Sequence, residues 1–480
     1  MNIGNFFSHN KQIETITFQT NASSGTTFNP SAFLSQNTSL WNTGDNGFVV
    51  AGNTLSKVYG DSGTTKTVKL IVPDLSKVYS FQAYTDNLVG NLDLSSLTNS
   101  MDGSNMWYQN NLSLTGFTQP SQQITALQFL INDCDITGVL DISNIELQNQ
   151  GATSATFNCS NNNSLTGVLH KQSTGNISTY RANNCNITGN LVLTAFTGLR
   201  GVFLVNDNTP LTGITHTACT GTFTSYSVYN CNLTGNLDLS MMTNLGGSFS
   251  VYNNPLLTGI THTASPQTFT NYNVSDCGLI GNLNVPFSGI GTTLEFQNNA
   301  LLTGLTISAS TNNIRTFNVR NCDLQGTLDL SIFPNLGGNS GQTTSIDINN
   351  NPNLSGVNFP TSTKYFLNTA ILEAGAIIRF QDCDLNYVDF KPLSGATFLS
   401  GVTNGSPRIL LRNNSMTAAE VNQILVDFSG NATYNPTGWS KLLLDIGGTN
   451  ADPDTSSGGY DGLAAISFLT GSPYNWTITY

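Results

Sequence analysis

Charge is scarce in this chain. Of its 480 residues only 9% are Asp, Glu, Lys or Arg, against 38% hydrophobic. Disordered chains are rich in charge and poor in apolar residues, so this composition belongs to a folded protein whose polar surface is mostly uncharged. What charge there is leans acidic, 28 acids against 16 bases, and Lys and Arg nowhere cluster. A phosphate backbone finds no footprint on such a chain, which excludes nucleic acid as a partner. No apolar run is long enough to span a bilayer, so no membrane insertion is expected. The opening MNIGNFFSHNKQ lacks a basic region followed by an apolar stretch, so no export signal is expected either. Only four histidines are present, which leaves little material for Ser-His-Asp or Cys-His chemistry.

What the chain has in abundance is a repeat. The stretch NCNLTGNLDL at 230–239 recurs as DCDITGVLDI (133–142), NCNITGNLVL (184–193), DCGLIGNLNV (276–285) and NCDLQGTLDL (321–330). Between these copies lies a second type: NNNSLTGV (161–168), DNTPLTGI (207–214), NNPLLTGI (253–260), NNALLTGL (298–305) and NNPNLSGV (350–357). The second type carries one extra residue between its Asn and its Leu. Glycines at 189, 213, 235, 259, 281, 304 and 326 step by 24, 22, 24, 22, 23 and 22 residues. Upstream of each copy, positions such as Phe223, Tyr226 and Val228 before Cys231 alternate as in a strand with one buried face. The pattern resembles the leucine-rich repeat, L-x-x-L-x-L-x-x-(N/C)-x-L. That resemblance implies a solenoid of about a dozen 22–24-residue coils with a parallel sheet along one side, since one coil cannot bury its apolar face alone. The second half of each coil, GNLDLS or GITHT, alternates again and predicts irregular or short β structure on the outer side.

Six of the eight cysteines, Cys134, Cys185, Cys231, Cys277, Cys322 and Cys383, occupy the Asn/Cys position of the repeat. Asn111, Asn162, Asn208, Asn254, Asn299 and Asn351 fill it in alternate coils. Coils of one type are two strand spacings apart, about 10 Å, beyond the roughly 7 Å between Cα atoms that a disulfide spans. These thiols are therefore expected as inward packing groups, with Asn bonding buried backbone. Cys159 falls on an inward strand position and Cys219 in a connection. Unpaired thiols fit assembly in a reducing cytoplasm. One residue earlier every coil has Asn or Asp, from Asn110 and Asp133 to Asn350 and Asp382. Without a D-x-D-x-D-G loop this column predicts tight left-handed turns instead of calcium ligation.

His170, His216 and His262 recur three residues after the glycine of alternate coils. Aligned on that glycine they fall beside Asp141, Asp238 and Asp329, as in a metal-binding or pH-sensing ladder. Aligned on the Asn/Cys position they fall level with inward residues such as Leu239, Ile307 and Phe359. The second alignment keeps the apolar face intact, so buried structural histidines are expected, with no metal and no cofactor. Outward strand positions form the candidate binding surface: Trp107, Gln109, Arg181, Asn206, Ser227, Tyr229, Ser250, Tyr252, Glu295, Gln297, Asn318 and Arg320. Aromatics among uncharged hydrogen-bonding groups suit sugars or a neutral protein surface.

Before the repeats, residues 39–74 read as strands and turns. Trp41, Gly44, Asp45 and Gly47, followed by VYGDSGTTKTVKLIV, resemble a PKD-type β-sandwich. After the repeats, Thr417 as N-cap, Glu420 three residues on, and Val421, Ile424, Leu425 and Phe428 on one face predict a helix. KLLLDIGG, DGLAAISFLTG and NWTITY then read as strand, helix and strand, a cap over the last coil. The expected layout is a tail at 1–12, a PKD-like β module at 13–80, the leucine-rich-repeat solenoid at 81–416 and an α/β cap at 417–480. As a whole it resembles leucine-rich proteins of Bacteroidetes and their phages, which are surface adhesins or virion tail and fibre components. That resemblance implies a phage structural protein, a tail fibre or receptor-binding component made in the host cytoplasm and located in the virion. Its partners would be other virion proteins and a bacterial surface glycan or protein, with homo-oligomers possible. The alternatives are an extracellular, cell-surface adhesin and a polysaccharide-degrading enzyme working through a carboxylate pair; no catalytic residue is assigned.

Overall fold

Short alternating segments with a bulky aromatic or aliphatic residue facing inward produce one strand per coil, and those strands stack in parallel. The computed structural model describes residues 14–480 except 23–24, 26, 35–38, 46–47, 52–53, 61–63, 73–77, 98–103, 150, 172, 195, 217–218, 220, 243, 264–267, 286–288, 309–313, 337–344, 362–364, 369–375 and 401–407. The expected tail at 1–12, Gly47, and residues 61–63 of the PKD-like motif lie outside the described residues. The chain forms two compact units, Met1–Leu233 with Met241–Asn244, and Thr234–Ser240 with Leu245–Tyr480.

In the first unit, Ser104–Trp107, Ile124–Leu130, Ala155–Asn158, Ser173–Arg181, Phe196–Leu204 and Phe223–Ser227 pair parallel in that order. Their inward residues are fully buried, and rings stack along the array, as Phe203 on Tyr226 at 4.9 Å. In the second unit the same ladder runs from Leu245–Ser250 through Thr268–Asn273, Gly289–Glu295, Thr316–Asn318, Ser345–Asp347, Ala376–Arg379 and Arg408–Leu410. It continues into the C-terminal segment, where Leu443–Asp445 and Thr477–Thr479 add two more parallel strands. The protein is a mainly β repeat solenoid.

On the opposite side most coils have a second strand, and among the described residues of the repeats from Gly138 onward these strands pair two at a time. Gly138–Ile142 pairs with Leu165–His170, Gly189–Leu193 with Leu211–His216, Gly235–Leu239 with Leu257–His262, and Ile280–Val285 with Leu301–Ile307. Each couple joins a Cys-type coil to the Asn-type coil that follows it. The glycine of the Asn-type coil is what lets the couple close. A Cβ on Gly213, Gly259 or Gly304 would lie within 2.9 Å of the amide oxygen of Asn190, Asn236 or Asn282. Those amides donate across the couple to Thr215, Thr261 and Thr306 at 2.9–3.0 Å.

The N-terminal β region is fused to the first coils. Glu14–Thr20 pairs antiparallel with both Lys66–Val72 and the second strand of the first coil, Leu88–Asp93, which in turn pairs with Ser113–Thr118. Phe18, Phe28, Trp41 and Phe81 form the buried centre of this region, with Phe18 5.5 Å from Phe81. Val78–Gln82 serves both partners: it pairs antiparallel with Ser31–Leu34, and Ala83 N–H beyond it donates to Trp107 O. At the other end, helix Ala418–Tyr434 carries the expected capping box between Thr417 and Glu420, with Val421, Ile424, Leu425 and Phe428 buried. A second helix, Gly462–Thr470, is capped by Asp461 and packs on the first. No helix among the described residues is long and apolar enough to cross a membrane.

Candidate functional site

Three residue columns leave the inner end of each strand, and their geometry decides what faces a partner. The turn column comes first. Asn110, Asp133, Asn161, Asn184, Asp207, Asn230, Asn253, Asp276, Asn298, Asn321, Asn350 and Asp382 all have φ between +52° and +62°. Asn and Asp tolerate this left-handed conformation better than other non-glycine residues. Their side chains form ladders between coils: Asn321 Nδ2 donates to Asn298 Oδ1 and Asn350 Nδ2 to Asn321 Oδ1, each at 2.7 Å. No cluster of three potential metal ligands occurs among the described residues.

The Asn/Cys column is interior. Asn162 Nδ2 donates to the carbonyls of Ile131 and Cys159, and its Oδ1 accepts Ile136 N–H, all at 2.9 Å. The six column cysteines are buried and free, each thiol reaching a carbonyl of the preceding coil, as Cys322 Sγ to Phe296 O at 3.5 Å. Burial pushes the Cys134, Cys231 and Cys277 thiols up to about 12, so they are neither nucleophiles nor ligands. The column has one further member at its start. Thr85 N–H bonds Gln109 O as Asn110 N–H bonds Asn132 O, which puts Asp86 level with Asn111. Asp86 is 3% exposed, accepts Asn29 N–H at 2.6 Å, and burial raises its carboxyl to about 7.

The histidines follow the inward alignment. Ile142 pairs with His170, Leu193 with His216 and Leu239 with His262. Each ring Nε2 lies 2.9 Å from a buried tyrosine hydroxyl, Tyr180, Tyr226 and Tyr272 respectively. The Nδ1 atoms of His170 and His216 are out of solvent with no hydrogen-bond partner. An ionised ring would leave a charged Nδ1–H donor buried and unpaired, so the rings are neutral. Desolvation holds His170 and His262 down at about 3 and His216 at about 4.

The outward strand positions are two columns, four residues and two residues before each Asn/Cys. In the first unit Trp107, Leu130, Asn158, Arg181, Leu204 and Ser227 lie in one register row, so Trp107 and Arg181 stand three strands apart. Trp107 donates to Gln128 at 2.8 Å and sits edge-on to Tyr84, beside half-buried Gln109. Arg181 is exposed, whereas Asn206 is 6% exposed and bonds the hydroxyl of half-buried Tyr229. Ser227 is buried as well.

The second unit gathers more. Tyr252 and Ser250 lie at its start; then Asn273 Nδ2 donates to Glu295 Oε2 at 2.6 Å, and Asn298 N–H to Arg320 O ties the Gln297 and Arg320 positions together. Beside Asn318 stands Asp347, 5% exposed and bridged to Arg379 at 3.0 Å. Burial raises the Asp347 carboxyl above its ordinary range against the pull of Arg379 and Arg320, and burial likewise raises Glu295. Gln297 Oε1, Arg320 Nε and Asn349 Oδ1, on three successive coils, are buried without a protein partner. Asp347, Asn349 and Arg379 were missed in the sequence. The signal was there: Asp347 and Arg379 stand four residues before Asn351 and Cys383, as Glu295 does before Asn299.

A carboxylate pair does exist. Tyr387 hydroxyl bridges Asp389 and Asp427, and Lys391 Nζ lies 3.3 Å from Asp427. Asp427 lies on the helix Ala418–Tyr434, and its side chain is 1% exposed. Comparisons with protein-family models, curated proteins and solved structures find no match to this chain.

Proposed function

We propose that the protein is a non-enzymatic attachment protein, a virion tail-fibre or receptor-binding component of a phage that meets a bacterial surface glycan or protein through the outward strand face. The observation that carries this is the patch of Glu295, Gln297, Arg320, Asp347 and Arg379. These planar hydrogen-bonding groups are held in register by backbone pairing, and three atoms of this face lack protein partners. Groups fixed in this way lose little entropy when a ligand arrives. The leucine-rich and PKD-like motifs support the same reading, and eight buried cysteines, none of them in a disulfide, favour assembly in a reducing cytoplasm over secretion as an adhesin. Purified protein is expected to compete with phage for host cells, and R320A with R379A to abolish competition while the fold persists. Competition unchanged by these substitutions, or absence of the chain from purified particles by mass spectrometry, overturns the reading.

A further inference from the structure

The side opposite the strand face is interrupted at every second coil. In the second unit Gly235–Leu239 pairs with Leu257–His262, Ile280–Val285 with Leu301–Ile307, and Gly326–Asp329 with Leu354–Asn358. Among the described residues no ladder joins one couple to the next. Adjacent couples are held at one end, where Gly278 N–H bonds Leu257 O and Gln325 N–H bonds Thr303 O.

Two clefts open between these couples. The first, about 310 Å³, has Thr258 and Thr261 on one wall, Asn282 and Asn284 on the other, and Leu279 and Leu283 at its base. The second, about 400 Å³, has Thr303 and Thr306 facing Gln325 and Thr327 over Leu324 and Phe333. Asn282 borders both. No charged side chain lines the first, and Asp329 alone lines the second, so an anionic polymer finds no cation in either. Volumes near 300 to 400 Å³ sit at the small end of ligand sites. Amides and hydroxyls over an apolar base match a ring with hydroxyls at its rim and C–H groups on its face. The clefts repeat every two coils, about 10 Å. An extended glycan in which every second ring presents the same edge repeats on a similar length.

We propose that these clefts bind a neutral extended polysaccharide, each cleft seating one sugar ring and successive clefts seating alternate rings of one chain. The site is separate from the strand face and does not rest on the receptor role assigned there.

The test is calorimetric titration of the full chain with β-1,4-linked gluco-oligosaccharides of two to six rings. Affinity rises at least about tenfold once the oligosaccharide reaches both clefts. N284A and T327V, substitutions of surface side chains, each weaken the longer oligosaccharides, and N282A weakens them most; R320A and Y252A leave binding unchanged. Circular dichroism and melting of each variant separate lost binding from lost fold. Absence of binding at millimolar oligosaccharide, affinity independent of length, or loss of binding in R320A instead of N282A overturns the proposal. Host-cell competition by the same variants is a separate readout, so failure here leaves the strand-face reading standing or falling on its own.

Discussion

Two junctions alternate along the coils, and they are made by different atoms. Where an Asn-type coil follows a Cys-type coil, the junction is closed by a side chain. Asn208 donates to Ala182 O and Val205 O at 2.8 Å and accepts Ile187 N–H at 3.0 Å, and the second strands of the couple pair as well. Where a Cys-type coil follows an Asn-type coil, the backbone closes it. Asn186 and Thr188 N–H bond Leu165 and Thr166 O, and Cys185 adds one thiol contact of 3.4 Å to Cys159 O. The extra residue in the Asn-type coil explains the difference. It lets the turn close on itself, Leu211 N–H to Asn208 O, so that this N–H no longer reaches back to the preceding coil and an amide bonds that coil in its place.

The largest expected effect is therefore asymmetric. N208A leaves Ala182 O and Ile187 N–H buried without partners and Val205 O with only the Cys231 thiol, a loss on the order of 3 kcal/mol, whereas C231A forfeits one weak S–H contact, about 1 kcal/mol. Urea denaturation with residue-resolved hydrogen exchange measures both, and equal losses would show that the junctions do not differ as described. Repeat arrays open locally, so the exchange data should place the N208A defect at Ile187 and its neighbours.

The histidines sharpen the comparison, because all three sit in Asn-type coils opposite a Cys-type partner strand. Their folded pKa values lie near 3 to 4, below the unfolded value of about 6.5. The neutral ring's contribution is thus present above about pH 6.5 and is lost as pH falls toward 4, on the order of 2 to 3 kcal/mol per histidine. Asp86, Glu295, Asp347 and Asp427 shift upward and act in the opposite sense, favouring the fold at lower pH. The informative measurement is accordingly the difference between wild type and the triple variant H170Q/H216Q/H262Q. Stability of the variant is expected to fall less between pH 6.5 and 4; parallel profiles would refute neutral burial.

Smaller effects test the couple itself. G304A forces the amide of Asn282, 2.7 Å from the new Cβ, out of its bond to Thr306 and is expected to cost about 1 kcal/mol. G167A meets only Val139 at 3.7 Å and is expected to be neutral or slightly stabilising. Thermal melts rank the two, and the reverse order would sink the account of the Asn–Thr rungs. N321A removes two rungs of the turn ladder and places alanine at φ +54°, together about 1 kcal/mol, read in the same melts.

Much of this was readable before any coordinates. Repeat period, the inward place of Cys231, the left-handed turn at Asn230, the inward histidines and the Thr417–Glu420 cap all follow from spacing and side-chain chemistry. The outward columns were readable by counting from Asn or Cys. The same counting from Asn351 and Cys383 reaches Asp347 and Arg379, but the coils there lengthen, from 23 residues between Asn299 and Cys322 to 29 and 32, so the constant period that marks the columns elsewhere is lost. Asp86 escaped for a related reason: neither Thr85 nor Asp86 matches the residue types that mark the columns elsewhere.

By itself the sequence determined which side chains turn inward, since apolar alternation at a constant period has one low-energy solution once coils stack. It also determined most of the left-handed turns, because Asn and Asp recur where a β-branched residue is disfavoured, Thr85 at φ +57° being the exception. Only the tertiary structure decided which strand edges meet. Backbone donors and acceptors are the same in every residue, so pairing of Glu14–Thr20 with Leu88–Asp93, and of the outer strands two by two, leaves no mark in hydrophobic pattern. The clefts between couples follow from that choice of edges, and with them a recessed polar surface that no repeat motif announced.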